Sequence, residues 1–133
     1  MGGAGPSTRA AVERFTATGA LRAAGGDTNG AAMRALPIGW ATPAAAAHRR
    51  RGLSIGLSRT TPGAVGAIGS ACAVSAMASR AIEASPLRGI IDAAFDEITW
   101  LETEFPNSRR IFQPVCRAGA SMSLWRLPSH SPD

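Results

Sequence analysis

The sequence contains no lysine and no tyrosine, two cysteines and few large apolar side chains. Leucine, isoleucine, valine and phenylalanine together provide 24 of the 133 residues, whereas alanine alone provides 27. Chains with less than about a fifth of these large residues bury little apolar area to offset the entropy of ordering the backbone. The composition therefore excludes an extensive core and predicts a single helical domain with a small one.

The charge pattern excludes a second class of function. All 14 basic residues are arginine, and the formal net charge is +5. Residues 1–80 are basic, whereas residues 81–105 contain six acidic residues and one arginine. Apart from Arg49, Arg50 and Arg51 the cations are dispersed, and no aromatic residues that would stack on bases alternate with them. We therefore expect no nucleic-acid partner.

The cysteines and the uncharged segments indicate neither a metal pair nor a membrane protein. Cys72 and Cys116 are far apart in the sequence, which predicts two free, buried thiols. The amino terminus lacks the charged start and apolar run of a signal peptide, so we expect a cytoplasmic chain. Residues 60–79 form a long uncharged run, but their glycine, serine and alanine content makes membrane insertion unfavourable.

Turn-forming residues predict the limits of the first helices. Ser7 is the predicted cap of a helix that ends near Thr18, with Gly19 as its stop signal. Pro37 is expected to limit or kink any helix around it. Residues 42 and 43, threonine followed by proline, predict the cap and first position of a helix that runs to about residue 57 and has its three arginines in the later part.

The second half of the chain has the clearer helical patterns. A helix is predicted from Pro62 to about Glu83, and its small residues recur every three or four positions, which allows another backbone to approach closely. Ser85 and Pro86 begin a final helix with apolar residues at the i, i+3, i+4 and i+7 spacing. Its other face is expected to be solvated and acidic, with Asp92, Asp96, Glu97, Glu102 and Glu104. After Pro106 no period persists, so we predict a helical domain at 1–105 and an irregular, poorly ordered tail at 106–133.

Three stretches of the sequence together show a specific pattern: GPSTRAAVERF at 5–15, GDTNGAAMRALPIG at 26–39 and SRTTPGAVGAIGSACAVSAM at 58–77. They resemble the ADP-ribosylglycohydrolase family, all-helical enzymes that release ADP-ribose from modified proteins or related substrates. The second stretch contains the specific motif, and the similarity extends over roughly residues 5–100. The resemblance implies an all-α fold, a partial version of the family's orthogonal helix bundle.

The glycine-containing turn before residue 31 is the candidate ligand site. Such a turn at the start of a helix can offer backbone N–H groups to a phosphate. The resemblance implies that Thr28, Asn29 and Gly30 lie against the diphosphate or adjacent ribose of ADP-ribose, with Arg34 supporting the loop or the local charge. It also implies a place near the phosphates for Thr61, where the family often has a histidine. Taken without the resemblance, the turn is equally an ordinary capped turn with a solvated or structural arginine.

The metal motifs of the family are missing from this sequence. The family's two-Mg²⁺ centre uses an early DDT-type motif and a late GGDTDT-type motif, and this chain contains neither. GGDT at 25–28 continues as NGAAMR and supplies no second aspartate. We therefore expect no catalytic residue and no complete metal centre, and we interpret the chain as a central portion of a glycohydrolase without turnover of its own.

Three hypotheses about function follow from these observations. The chain is part of a hydrolase of ADP-ribosyl glycosidic bonds, or it binds ADP-ribose, an ADP-ribosylated protein or a phosphate without hydrolysis, or it is a structural helical remnant. In each case exposed apolar helix faces favour self-association.

Overall fold

The computed structural model describes residues 5–21, 29–60 and 64–106, which form five α-helices and contain no strand. The helices are α1 (Pro6–Thr18), α2 (Gly30–Ala41), α3 (Ala47–Ser58), α4 (Val65–Ile82) and α5 (Leu87–Glu104). The predicted all-α class is confirmed. The predicted tail beyond residue 106 lies outside the described residues, as do residues 22–28 and 61–63.

The limits of α1 and α5 agree largely with the sequence. Gly19 ends α1 in the left-handed conformation, with φ 69°, and its N–H donates to the Phe15 carbonyl. Glycine adopts this conformation without the steric cost of a Cβ. However, α1 begins at Pro6 with Gly5 as its N-cap, so the prediction of a Ser7 cap is wrong. The final helix was predicted to begin with Ser85 and Pro86; in the structure Pro86 is its N-cap and the helix begins at Leu87.

The predictions around α2 and α3 need two corrections. α2 continues through the exposed Pro37 to Ala41, because its opposite face is fixed by packing on α4. Thr42 ends α2 instead of capping α3, and its hydroxyl donates to the Ile38 carbonyl at 2.6 Å. A threonine hydroxyl bonds a carbonyl four residues back as readily as it caps a helix. α3 therefore begins only at Ala47, and the three arginines lie in its first turns.

α4 is the central helix and packs against α2, α3 and α5, whereas α1 is outside these main helix pairs. Among the described helices, α4 alone is long and apolar enough to cross a membrane by length and composition, with a mean hydropathy of 1.4. Half of that 18-residue window is buried inside the fold. Its small residues are thus used for helix packing.

The α2–α4 interface consists almost entirely of small residues. Four buried alanines form its centre: Ala31, Ala35, Ala67 and Ala71. Further along, a Cβ on Gly39 would lie closer than 3.0 Å to the Ser75 carbonyl oxygen and the Ala78 Cβ. The predicted close approach of another backbone to α4 is therefore correct, and α2 is the helix that approaches.

The contacts along this interface give the direction of the two helices. The early residues of α2 pack against the early part of α4, and Gly39 lies against the later Ser75. α2 and α4 therefore run parallel, with their N-termini at the same end of the bundle. α4 and α5 run in opposite directions. Late residues of α5, Ile98 and Leu101, pack with early residues of α4, Ile68 and Cys72.

Candidate functional site

The parallel packing of α2 and α4 brings two helix N-termini together. We call this region the α2/α4 end and define it by Asn29–Gly30 before and at the start of α2, Thr60 after α3, and Ala64–Val65 at the start of α4. The first N–H groups of a helix lack carbonyl partners within it and give that end a partial positive charge. Neither α2 nor α4 has an acidic residue in its first turn to neutralise this charge.

Asn29 occupies the N-cap position of α2 without acting as a side-chain cap. Its carbonyl oxygen accepts the Met33 N–H at 3.0 Å, and its side chain makes no capping hydrogen bond. The residue is exposed. The side-chain amide is therefore available to a ligand in front of the helix.

The structure brings some of the predicted site residues together. Gly30 begins α2, and the half-buried Arg34 lies one turn further along the same helix. Thr28 and Thr61 lie outside the described residues, but both of their neighbours in sequence, Asn29 and Thr60, belong to the α2/α4 end. Of these two segments, the described residues Asn29, Gly30 and Thr60 lie at this end of the bundle.

Arg14 of α1 reaches the same end and was not singled out from the sequence. Its Nη2 donates to the Thr60 carbonyl at 2.9 Å and to the Leu21 carbonyl at 3.4 Å, and its Nε donates to the Ala20 carbonyl at 3.3 Å. The guanidinium therefore joins the chain leaving α1 to the chain leaving α3. No local motif reveals such a contact, because it joins positions 46 residues apart.

The charges near this end favour an anion. Arg14 donates to the Thr60 carbonyl at this end, Arg34 lies one turn into α2, and the half-buried Arg59 precedes Thr60. These three arginines outnumber the acidic Glu102 and Glu104, which lie near the carboxyl end of α5 at the same end of the bundle. Two helix N-termini and several guanidinium groups are the arrangement that phosphate recognition uses.

The described residues do not fit the two-Mg²⁺ centre of the family. They contain no group of three or more His, Cys, Asp or Glu side chains that could hold a metal ion. Asp92 and Asp96 are exposed on α5, where Asp92 pairs with Arg88. Glu97 is occupied by two arginines, as described next. No catalytic step is therefore assigned through a metal here.

Glu97 corrects the prediction that every acid of α5 lies on a solvated face. It is only 3% exposed, and its two carboxylate oxygens accept from Arg50 Nη2 at 3.0 Å and Arg51 Nε at 2.6 Å. Arg51 also lies over the Trp100 ring, 4.3 Å from its centroid. The arginine pair of α3 therefore neutralises a buried carboxylate. The apolar period of α5 did not reveal this buried ion pair, because Glu97 is a charged residue that stands directly before the core residue Ile98.

Cys72 lies in the same core and is unsuited to nucleophilic chemistry. It is a free, buried thiol, as predicted, while Cys116 lies outside the described residues. Burial raises the pKa of the Cys72 thiol to about 12, and the nearby Glu97 carboxylate adds to the increase. The thiol is therefore neutral at physiological pH.

Comparison with known proteins identifies the family of the chain. No curated protein and no solved structure matches the chain. A family model, ADP-ribosylglycohydrolase, matches residues 1–127. This match continues well past residue 100, near which the sequence resemblance had been expected to end. Since it includes most of the chain, the protein belongs to the ADP-ribosylglycohydrolase family.

Proposed function

We propose that this chain binds the diphosphate of ADP-ribose at the α2/α4 end. The observation that supports this most directly is the parallel packing of α2 and α4, which directs two uncompensated helix N-termini to one place. A single helix N-terminus already favours an anion. Two of them beside Arg14 and Arg34 favour a ligand with more than one negative charge.

Within this proposal the residues have separate roles. The exposed Asn29 side chain hydrogen-bonds the ligand, the first turn of α2 at Gly30 offers backbone N–H groups, and Arg34 stabilises the negative charge. Thr28 and Thr61 complete the site through their hydroxyl groups. The ADP-ribose unit belongs to a modified protein or a related substrate, whose glycosidic bond the family hydrolyses.

We further propose that the isolated chain binds this ligand without turning it over. The family's reaction uses two Mg²⁺ ions, and the described acids are either exposed and dispersed or, at Glu97, paired with arginines. The described residues therefore supply part of the ligand site but no group of three or more metal-binding side chains. Release of ADP-ribose from a modified protein by this chain alone would contradict this part of the proposal.

The direct test is calorimetric titration of the whole chain with ADP-ribose, comparing wild type with Asn29→Ala. Loss of one neutral hydrogen bond predicts an affinity about three- to tenfold lower. The fold should be unaffected, because the Asn29 side chain does not cap α2. Thr103→Ala, an exposed position on α5, serves as the matched control and should bind like wild type.

The ligand series distinguishes the hypotheses. Adenosine, which has no phosphate, should bind far more weakly than ADP-ribose if the α2/α4 end recognises the diphosphate. Equal binding by wild type and Asn29→Ala would reject the assignment of Asn29. No binding of ADP-ribose by wild type would favour the third hypothesis, a structural remnant.

We also propose self-association through the outer face of α2. Its side chains Met33, Leu36 and Trp40 are 69%, 41% and 58% exposed although all three are large and apolar. Contiguous exposed apolar groups of this kind favour association in water. Sedimentation should show that Trp40→Glu lowers the associated fraction, whereas His48→Glu on the exposed side of α3 leaves it unchanged.

A further inference from the structure

We infer that two copies of this chain meet through their α2 helices in an antiparallel, two-fold arrangement, with Met33 of each copy against Trp40 of the other. This inference rests on the proposed self-association, because it assigns the partner and the geometry of contact on that same face. It is independent of ADP-ribose binding.

The side chains of α2 are distributed by size in an unusual way. Its buried residues are Ala31, Ala35 and Gly39, whereas the large apolar Met33, Leu36 and Trp40 are exposed. A helix on the surface of a domain normally directs its large apolar residues towards the core. Here α4 approaches α2 so closely that only small residues fit between them. The large residues are thereby left on the outer face, where a partner can bury them.

The charges of the helices indicate that this partner is a second copy. In a two-fold contact each surface meets its own equivalent, so a charged face repels itself. Among the described helices α2 alone has no exposed charged side chain, because its single charged residue, Arg34, is half-buried. By contrast, α3 exposes Arg49, and α5 exposes Asp92 and Asp96. The outer face of α2 is therefore the helix face on which two copies can meet without bringing like charges together.

The two ends of α2 favour the antiparallel direction. The helix has no acidic residue in its first turn and no basic residue in its last turn, so the partial charges at both ends are uncompensated. Within its own chain α2 runs parallel to α4, which places ends of the same sign together. An antiparallel α2 from a second copy instead places ends of opposite sign together.

The spacing of the outer face fits the same direction. An antiparallel pair centred between Leu36 and Pro37 brings Met33 of each copy to Trp40 of the other, and a thioether packs favourably against an aromatic ring. A parallel pair would place each residue against its own equivalent. Since α2 has 12 residues and is about 18 Å long, the contact buries less than the roughly 800 Å² per partner of a standard stable interface. We therefore expect a weak, reversible dimer.

The experiment is sedimentation of the whole chain over a range of concentrations, for wild type, Met33→Lys, Trp40→Glu and an equimolar mixture of the two variants. Each variant alone should associate about tenfold more weakly, because a charge replaces a large apolar group that the contact buries. In the mixture the antiparallel pair places the new ammonium group against the new carboxylate and keeps one native Met33–Trp40 contact. Association should then recover to within about threefold of wild type.

The controls separate loss of the contact from loss of the fold. Leu87→Lys introduces the same charge at an exposed leucine of α5, where the side chain is 60% exposed, and should associate like wild type. Circular dichroism should show the same helix content in all variants, because Met33 and Trp40 lie on the side of α2 that does not pack on α4.

Each result leads to a definite conclusion. If both variants associate weakly and the mixture does not recover, α2 is used in another arrangement, which overturns the antiparallel pair but leaves the proposed self-association intact. If both variants associate like wild type, or if wild type remains monomeric throughout the concentration range, the proposed self-association fails and the antiparallel pair fails with it. Recovery in the mixture alone supports the inference.

Discussion

The two sides of α4 achieve tight packing by opposite means. Towards α2 the interface contains alanines and Gly39, so the two backbones nearly touch. Towards α3 and α5 it contains Ile68, Ile98 and Leu101 together with the buried Glu97 and its arginines. The α2 side of α4 packs tightly because its side chains are small. The α3 and α5 side packs through large apolar side chains and a buried ion pair.

This difference explains how a chain with few large residues forms a bundle at all. Close backbone approach gains dispersion contacts from small groups, with little side-chain entropy to lose. It also fixes the direction of α2 on α4 and therefore the position of the two helix N-termini. The interface with small residues thus sets the candidate site, while the interface with large residues supplies most of the apolar burial.

The largest expected effect is at the charged part of the second interface. Glu97→Ala leaves Arg50, whose side chain is 5% exposed, without its carboxylate partner. Removing one member of a buried pair costs about 3–5 kcal/mol, because the other charge stays desolvated. Urea unfolding followed by circular dichroism should show this loss. Glu104→Gln, at an exposed position, is the control, and a loss for Glu97→Ala no greater than for this control would contradict the prediction.

The second-largest loss of stability is expected in the apolar part of the same interface. Leu101 is fully buried between α4 and α5, so Leu101→Ala creates a cavity and removes apolar contacts. Such truncations cost about 2–5 kcal/mol of unfolding free energy. Leu87→Ala provides a matched control on the same helix, where the side chain is 60% exposed. Similar losses for the two variants would mean that α5 does not pack on α4 as described.

The α2–α4 interface should respond to added volume instead. In Gly39→Ala the new methyl group meets the Ser75 carbonyl and the Ala78 side chain. Overpacking of this kind costs about 1–3 kcal/mol. Gly56→Ala in α3 is the matched control, because nothing lies within 4 Å of its Cβ. It should be stabilising by about 0.5–1 kcal/mol, from the lower flexibility of alanine in the unfolded chain.

The same Gly39→Ala variant also tests the link between this interface and the candidate site. If the close approach at Gly39 sets the α2/α4 end, ADP-ribose affinity should fall along with stability, whereas Leu101→Ala should lower stability with a smaller change in affinity. Equal ADP-ribose affinity in wild type and Gly39→Ala would show that the close approach at Gly39 does not set the ligand site.

These contrasts also show what the sequence could predict. The apolar period of α5, the small-residue pattern of α4 and the Gly19 stop are local signals, and each correctly predicted its element. The turn at Asn29 was recognisable for the same reason. Pro37 misled because α4 packing, which lies far along the chain, overrides the local cost of a proline in a helix.

The missed features of the core and of the candidate site are contacts between distant positions. Glu97 looks like one more surface acid until the packing of α3 and α5 on α4 brings Arg50 and Arg51 beside it. Arg14 looks like an ordinary helix arginine until Thr60 is brought to it. Pattern within one helix cannot specify such partners, because the partner depends on how two helices are oriented.

The smallest effect should come from a hydrogen-bonded pair of hydroxyls between α3 and α4. Ser54 Oγ and Ser75 Oγ are 3.0 Å apart and both residues are fully buried. Ser75 Oγ also donates to the Cys72 carbonyl at 2.9 Å, so Ser54 is the donor between the two hydroxyls. Ser75→Ala therefore removes the acceptor of a buried hydroxyl, at a cost of about 1–2 kcal/mol.

Ser54→Ala should cost less than Ser75→Ala, because the Ser75 hydroxyl keeps its bond to the Cys72 carbonyl. The double variant should resemble Ser75→Ala or be more stable, since no unpaired hydroxyl remains in it. Urea unfolding of the two single variants and the double variant measures the coupling directly. A greater loss for Ser54→Ala than for Ser75→Ala would reverse the assigned donor. The buried Ser54–Ser75 pair thus adds a directional contact to the packing of α3 on α4.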